Sequence, residues 1–165
     1  MINLICAVAE DGAIGYQNRL LFRLSDDLKR FKKLTTGHTV LMGRRTFDSL
    51  PKGALPNRRN LVLSRNSEFA APNVEVFPNL KKAIDSCPRD EEIFIIGGAM
   101  LYRQAVLIVD RMYLTEIHAS PQEADVFFPM VDFSEWTEVS REEHPADEKN
   151  EVAFDFVEYV RKKRR

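Results

Sequence analysis

Short apolar runs, each too brief for a helix and each closed by a glycine or a polar turn, recur along most of this chain. Residues 2–9 (Ile-Asn-Leu-Ile-Cys-Ala-Val-Ala), 39–42 (Thr-Val-Leu-Met), 60–63 (Asn-Leu-Val-Leu), 74–77 (Val-Glu-Val-Phe), 92–96 (Glu-Ile-Phe-Ile-Ile) and 111–118 read as strands. The most apolar of them lack the alternation of a sheet with one wet face, so burial on both faces is expected. Helical stretches fall between them, at 24–34, just after Gly43, at 79–86 and at 99–105. Asn79 is the expected cap of the third, and Pro88 follows its end. Strands alternating with helices specify an α/β fold around a mostly parallel sheet. The end differs in character. Residues 136–141 and 152–160 alternate polar and apolar, which predicts an antiparallel pair at one edge. The expected architecture is a single α/β domain: a central mixed, mostly parallel sheet, an antiparallel C-terminal edge, and helices on both faces. A chain of 165 residues supports one core and not two. No linker, repeat or low-complexity segment divides it, so the domain is read as 1–165.

Bulk charge narrows the function classes. The net charge is −1, so no global field points to nucleic acid or to a membrane. The basic stretch 161–165 (Arg-Lys-Lys-Arg-Arg) reads as a solvated end and a candidate for disorder. Cys6 and Cys87 occur in unrelated contexts without a CxxC, which predicts two reduced thiols and a cytoplasmic setting. No run approaches the ~20 apolar residues of a membrane span, and no secretory leader is read at the start. His38, His118 and His144 share no ligand spacing, so no metal is expected.

One acid is out of place. In 24–34 (Leu-Ser-Asp-Asp-Leu-Lys-Arg-Phe-Lys-Lys-Leu), a helical projection puts Leu24, Leu28, Phe31 and Leu34 on one stripe. Asp27 falls between Phe31 and Leu34, whereas Asp26, Lys29, Arg30, Lys32 and Lys33 fall outside the stripe. Ser25 is the expected N-cap, and Asp26 suits the positive end of the helix dipole. Asp27 could serve that dipole too, but only by ignoring its face. Burying an unpartnered carboxylate costs about several kcal/mol, so such a group is neutralised, paired or bound to a ligand.

Three strand ends carry phosphate-friendly chemistry, and in α/β sheets ligands bind at such ends. Gly43-Arg44-Arg45-Thr46 places a glycine, a guanidinium and a hydroxyl at a helix start. Gly97-Gly98 lets a ligand approach the backbone at another. Ser64-Arg65, with Arg44, suits a 2′-phosphate and favours NADP over NAD. The sequence contains neither GxGxxG nor GxxxxGK[ST]. The loop 10–22, with Gly12 and Gly15, has the length of a functional segment.

In order and spacing, these segments resemble the dihydrofolate reductase family over nearly the whole chain, most closely its bacterial chromosomal form. The matching stretches are 2–9, the loop with Gly15, the helix with Asp27 and Phe31, 40–47, 55–60, 63–65, 95–99, Tyr102, 113–115 and 125–129. The resemblance implies NADPH as cofactor and dihydrofolate as substrate; a monomer is the default expectation, and no nucleic-acid or membrane partner is expected. It implies a catalytic group of Asp27, Thr115 and Phe22, with Asp27 binding the pterin 2-amino group and ring nitrogen and Thr115 supporting it. Ile5, Leu28, Phe31, Leu50, Leu55 and Ile96 would wall the pterin and aminobenzoyl rings, and Arg58 would grip the glutamate α-carboxylate. Since Arg58 adjoins Arg59, one of the two could instead simply face water. Ala7, Ile14, Gly15, Leu20, Gly43, Arg44, Thr46, Ser64, Arg65, Gly97, Gly98 and Tyr102 would contact the cofactor. The resemblance also implies a cis peptide between Gly97 and Gly98. Leu21-Phe22 departs from the family's Pro-Trp, so Phe22 should keep an apolar wall but lose an indole donor. The implied reaction is hydride transfer to C6 with protonation at N5, the proton arriving from water through a mobile 10–22 loop.

Three rivals separate by assay. A riboflavin-pathway pyrimidine reductase of the same fold needs neither Asp27 nor Arg58. A nucleotide-binding module would not consume NADPH in response to dihydrofolate. An RNA-binding protein would depend on residues 161–165.

Overall fold

The computed structural model describes residues 1–163. Its elements, in chain order, are β1 (Ile2–Val8), β2 (Ala13–Gly15), α1 (Ser25–Thr35), β3 (Thr39–Gly43), α2 (Arg44–Asp48), β4 (Arg59–Leu63), β5 (Val74–Phe77), α3 (Leu80–Asp85), β6 (Ile93–Gly97), α4 (Ala99–Ala105), β7 (Arg111–Ile117), β8 (Val126–Phe127), a 3₁₀ turn (Phe133–Glu135), β9 (Trp136–His144) and β10 (Phe154–Arg161). Eight strands form one sheet in the order β5-β4-β3-β6-β1-β7-β10-β9. Pairings from β5 through β7 are parallel, and β10 is antiparallel to both β7 and β9. The mixed sheet with its antiparallel edge follows the sequence reading.

The parallel arrangement brings the ends of β1, β3, β4, β6 and β7 to one edge. β1 lies between β6 and β7; the connection out of β1 runs toward β3 and the one out of its neighbour β6 runs the opposite way toward β7, and a crevice opens at such a reversal. The central strands have the buried residues their sequence predicts: Leu4, Val40, Leu41, Met42, Leu61, Val62 and Ile95 are fully buried. Where β6 pairs with β3 the register slips. Leu41 faces Ile95 and Met42 faces Gly97, so Ile96 has no partner on that side. The bulge falls at the strand end that carries Gly97-Gly98, where such irregularities re-aim side chains.

Three details differ from the sequence reading. Ser25 is not the N-cap of α1 but its first helical residue; Leu24 holds the cap position without a side-chain bond. The work falls to the β9–β10 connection, where Lys149 O accepts from Ser25 N at 3.1 Å and Asn150 Oδ1 accepts from Asp26 N at 3.1 Å. The 10–22 loop holds one strand, β2, of a short ribbon whose other strand is β8. The basic end starts later than expected. Arg161 is the last residue of β10, with its guanidinium 4.4 Å from the Trp136 ring centroid and donating to Val109 O at 2.9 Å. Lys162 and Lys163 are exposed; the rest of that stretch, Arg164 and Arg165, lies outside the described residues.

Candidate active site

Asp27 reaches β7 from the first turn of α1, and the Thr115 hydroxyl donates to its Oδ1. Thr115 is 3 % exposed and paired with Ala7 of β1 on one side and Phe156 of β10 on the other. The acid is half-buried. Burial pushes its carboxyl above the ordinary aspartate value, with the Thr115 bond and the charge of Arg30 pulling the other way. Among the described residues it has one neutral donor and no contact ion pair, which leaves acceptor capacity for a ligand.

The expected wall assembles in part. Ile5, Leu50, Leu55 and Ile96 all pack against the cluster of Val40, Met42, Val62 and Phe94. Phe31 is half-buried and Leu28 is 54 % exposed, so the helical stripe that carries them is not wholly covered by protein. Phe22 joins Ala7 against the buried group Leu24, Ile117, Phe154 and Phe156. It supplies an apolar surface among these residues at the entry to α1, without a hydrogen-bond donor.

The two neighbouring arginines separate cleanly. Arg59 ion-pairs with Glu75 at 2.6 Å and with Glu91 at 3.3 Å. Arg58 donates to Pro56 O at 2.9 Å and Thr35 Oγ1 at 3.0 Å, and makes no carboxylate contact among the described residues. Its guanidinium is thus oriented while its charge is uncompensated, as a carboxylate-binding arginine requires.

Across the crevice the backbone forms a glycine cradle. The Gly97–Gly98 peptide is cis, and Gly97 has φ +134°. A Cβ on Gly97 would lie 3.1 Å from Thr46 Oγ1, and one on Gly43 would lie 3.8 Å from Gly98 N. The ends of β3 and β6 and the Thr46 hydroxyl therefore converge on space that side chains would fill. Gly43 and Gly98 precede α2 and α4, and neither helix start has a side-chain cap. These residues fit a phosphate-bearing cofactor lying along the strand ends.

Other expected contacts are more varied. Tyr102 is 4 % exposed and its hydroxyl donates to Ile5 O at 2.8 Å, so it fixes β1 beneath the cradle. Burial pushes the adjacent Cys6 thiol up to about 12, which leaves it protonated and unreactive. Arg44 is exposed, 3.9 Å from the Phe69 ring centroid, and bonds Asp48 at 3.3 Å. Ser64 Oγ accepts from Asn66 N at 3.1 Å, and Arg65 is exposed and without a partner among the described residues. Ile14 packs against the large core and Gly15 is buried. Leu20 is 69 % exposed, on a surface hollow shared with Phe22 and Pro121.

Sequence reasoning missed two contributors. The helical projection puts Arg30 outside the apolar stripe of α1, yet its guanidinium lies over Phe156 at 4.3 Å; its spacing of three from Asp27 is the available signal. Asp125 anchors the 10–22 loop, accepting from Gln17 N at 3.0 Å and donating its own N–H to Gly15 O at 3.1 Å. It opens the matching stretch 125–129, but its local sequence points to no role.

Comparison with known proteins agrees with this geometry. The family model described as dihydrofolate reductase matches residues 1–161. A dihydrofolate reductase type 3 of Salmonella typhimurium is 44 % identical over 163 residues, 99 % of each chain. The dihydrofolate reductase of Bacillus subtilis is 41 % identical, covering 98 % of this chain and 95 % of that one. A solved dihydrofolate reductase from Enterococcus faecalis, complexed with NADP(H) and RAB-propyl, superposes with a TM-score of 0.91 at 34 % identity, covering 99 % of this chain and 97 % of that one.

Proposed function

The chain belongs to the dihydrofolate reductase family, and from that premise we propose how its own residues carry out NADPH-dependent reduction of dihydrofolate to tetrahydrofolate. The reading rests on one observation: a half-buried carboxylate, tied to Thr115, at the same sheet edge as a glycine cradle. When bound, NADPH supplies the hydride delivered to C6 of the pterin.

Asp27 accepts hydrogen bonds from the pterin 2-amino group and ring nitrogen, and Thr115 holds its Oδ1 in place. This fixes the plane of the substrate ring, the chief contribution a protein makes to transfer between two stacked rings. Ile5, Leu28, Phe31, Leu50, Leu55, Ile96 and Phe22 exclude water from the reacting faces. Arg58 binds the glutamate α-carboxylate, and its freedom from an internal ion pair supports that role. Gly43, Arg44, Thr46, Ser64, Arg65, Gly97 and Gly98 would hold the cofactor, with Ala7, Ile14, Gly15 and Leu20 about its nicotinamide end and Tyr102 beneath. Arg65 and Ser64 would favour the 2′-phosphate. Asp27 is not placed against N5, and the proton reaches that atom from water admitted beside the 10–22 loop. The protein acts as a cytoplasmic monomer without nucleic-acid or membrane partners.

The direct experiment follows the NADPH absorbance band on adding dihydrofolate, with NADH as the control. Rapid loss with NADPH and slow loss with NADH is expected. No loss with either cofactor would remove the reading.

A further inference from the structure

Arg30 follows Asp27 by three positions on α1, which puts their side chains on neighbouring turns of one helix face. Its half-buried guanidinium lies 4.3 Å from the ring centroid of Phe156 and 5.6 Å from that of Tyr113. Both rings lie beside the strand residue that bonds the acid. Phe156 is paired with Thr115, the residue that donates to Asp27, and Tyr113 precedes Thr115 by two on β7. The guanidinium groups of β7 and β9 are neutralised by contact: Arg111 of β7 reaches Glu158 at 3.4 Å, and Arg141 of β9 reaches Glu116 at 3.1 Å and Asp155 at 2.7 Å. Arg30 makes no such contact among the described residues. It is held by aromatic faces, which retain a cation without cancelling its charge.

We propose that Arg30 is a positioning residue for the reaction: a fixed cation one turn from Asp27 that keeps this acid in the carboxylate form needed to accept from the pterin. The proposal rests on the reading of Asp27 as the pterin-binding acid.

The surroundings give Arg30 this role by elimination. Among the described residues, the groups coupled to Asp27 are the Thr115 hydroxyl from β7, the Cys6 thiol from β1, the buried Tyr102 phenol from α4, and Arg30 itself. Of these, Arg30 alone carries a positive charge. The groups acting on Arg30 are Asp27, Tyr113, and at longer range Glu142 from β9 and Glu158 from β10. Glu158 is taken by Arg111, and Glu142 lies 3.0 Å from His144. Burial favours the protonated acid, and Arg30 opposes it through charge.

The test compares Arg30→Gln and Arg30→Met, which remove the charge, with Arg30→Lys, which keeps it. Arg30→Met also preserves an apolar stem against the two rings, so packing loss is controlled. Two readouts are needed in the full-length protein: the midpoint of the Asp27 carboxyl titration by 13C NMR, and the pH profile of kcat/KM for dihydrofolate. Both neutral variants should move the midpoint and the profile to higher pH by on the order of half to one pH unit. Arg30→Lys should stay close to wild type. Unmoved midpoints in both neutral variants would overturn the proposal, as would a lysine variant that shifts as far as glutamine. The NMR titration requires no turnover. A protein without reductase activity would therefore defeat the functional reading while leaving the Arg30 measurement decisive.

Discussion

Asp27 and Asp155 approach the same strand at successive residues, with opposite electrostatic outcomes. Asp27 meets Thr115, and Asp155 is paired in register with Glu116, the next residue of β7. Successive residues of a strand face opposite sides, so one acid serves the crevice and the other the reverse of the sheet. Asp155 is 5 % exposed and lies 2.7 Å from Arg141 and 2.8 Å from His118 Nε2. Arg141 also holds Glu116 and Glu138, and Glu116 accepts from the Tyr159 hydroxyl at 2.5 Å. Burial alone would raise the Asp155 carboxyl, but the His118 and Arg141 contacts override it and hold the group below the usual value. At Asp27 burial wins over the neutral Thr115 hydroxyl and the more distant charge of Arg30. A saturated carboxylate is a structural part; an under-satisfied one is available to a ligand.

The largest effect that can break this contrast is catalytic. Asp27→Asn should lower kcat/KM for dihydrofolate about a hundredfold or more at neutral pH, with Thr115 still able to bond the amide oxygen. Stability should not fall. A carboxyl raised on folding stabilises below the ordinary aspartate value near about 4, and that contribution is lost as pH rises through its folded value. At pH 7 the variant should therefore melt at or above the wild-type temperature by circular dichroism. A substantial drop in melting temperature would mean that Asp27 is structural.

Asp155→Asn should behave in reverse. Removing one charge from a buried pair costs about 3–5 kcal/mol in the general case; with Arg141 able to keep Glu116 and Glu138, about 2–3 kcal/mol is expected. Turnover should stay within about twofold, since nothing in the crevice depends on it. A carboxyl lowered on folding stabilises above the ordinary value and loses that contribution as pH falls through its folded value. The gap between this variant and wild type should be full at pH 7 and close below about pH 4. Melting series of both variants across that range should diverge in sign. Parallel curves would refute the assignment of opposite roles.

Only half of this contrast is legible in the sequence. Asp27 stands out because helical periodicity places it on an apolar stripe, a local property. The strands and helix ends are legible for the same reason, down to Asn79 of the α3 cap accepting from Lys82 N at 2.9 Å. Asp155 carries no such mark. It lies in an ordinary alternating strand, and its partners come from β7–β8 and β9, at His118 and Arg141. Arg30 was lost for a related reason: a wheel separates polar from apolar faces but cannot show that aromatic rings from β7 and β10 cover the polar one. Leu28 errs the other way. It lies on the apolar stripe yet is 54 % exposed, because that part of the stripe borders a crevice and not the core.

The smallest effect concerns the joint between the two regions. Asn150, 1 % exposed in the β9–β10 connection, accepts from Asp26 N and donates to Asp26 Oδ2, each at 3.1 Å. It caps the helix that presents Asp27, from the loop that joins the strands of the Asp155 network. Asn150→Ala should cost about 1 kcal/mol, the usual value of an N-cap. Its effect should be confined to the first turn of α1: faster amide exchange there, and a KM for dihydrofolate raised about two- to threefold with kcat retained. Combined with Asp155→Asn, the two stability losses should add within about 0.5 kcal/mol. A larger coupling would mean that the edge strands help to set the position of the acid, and that the two carboxylates do not act independently.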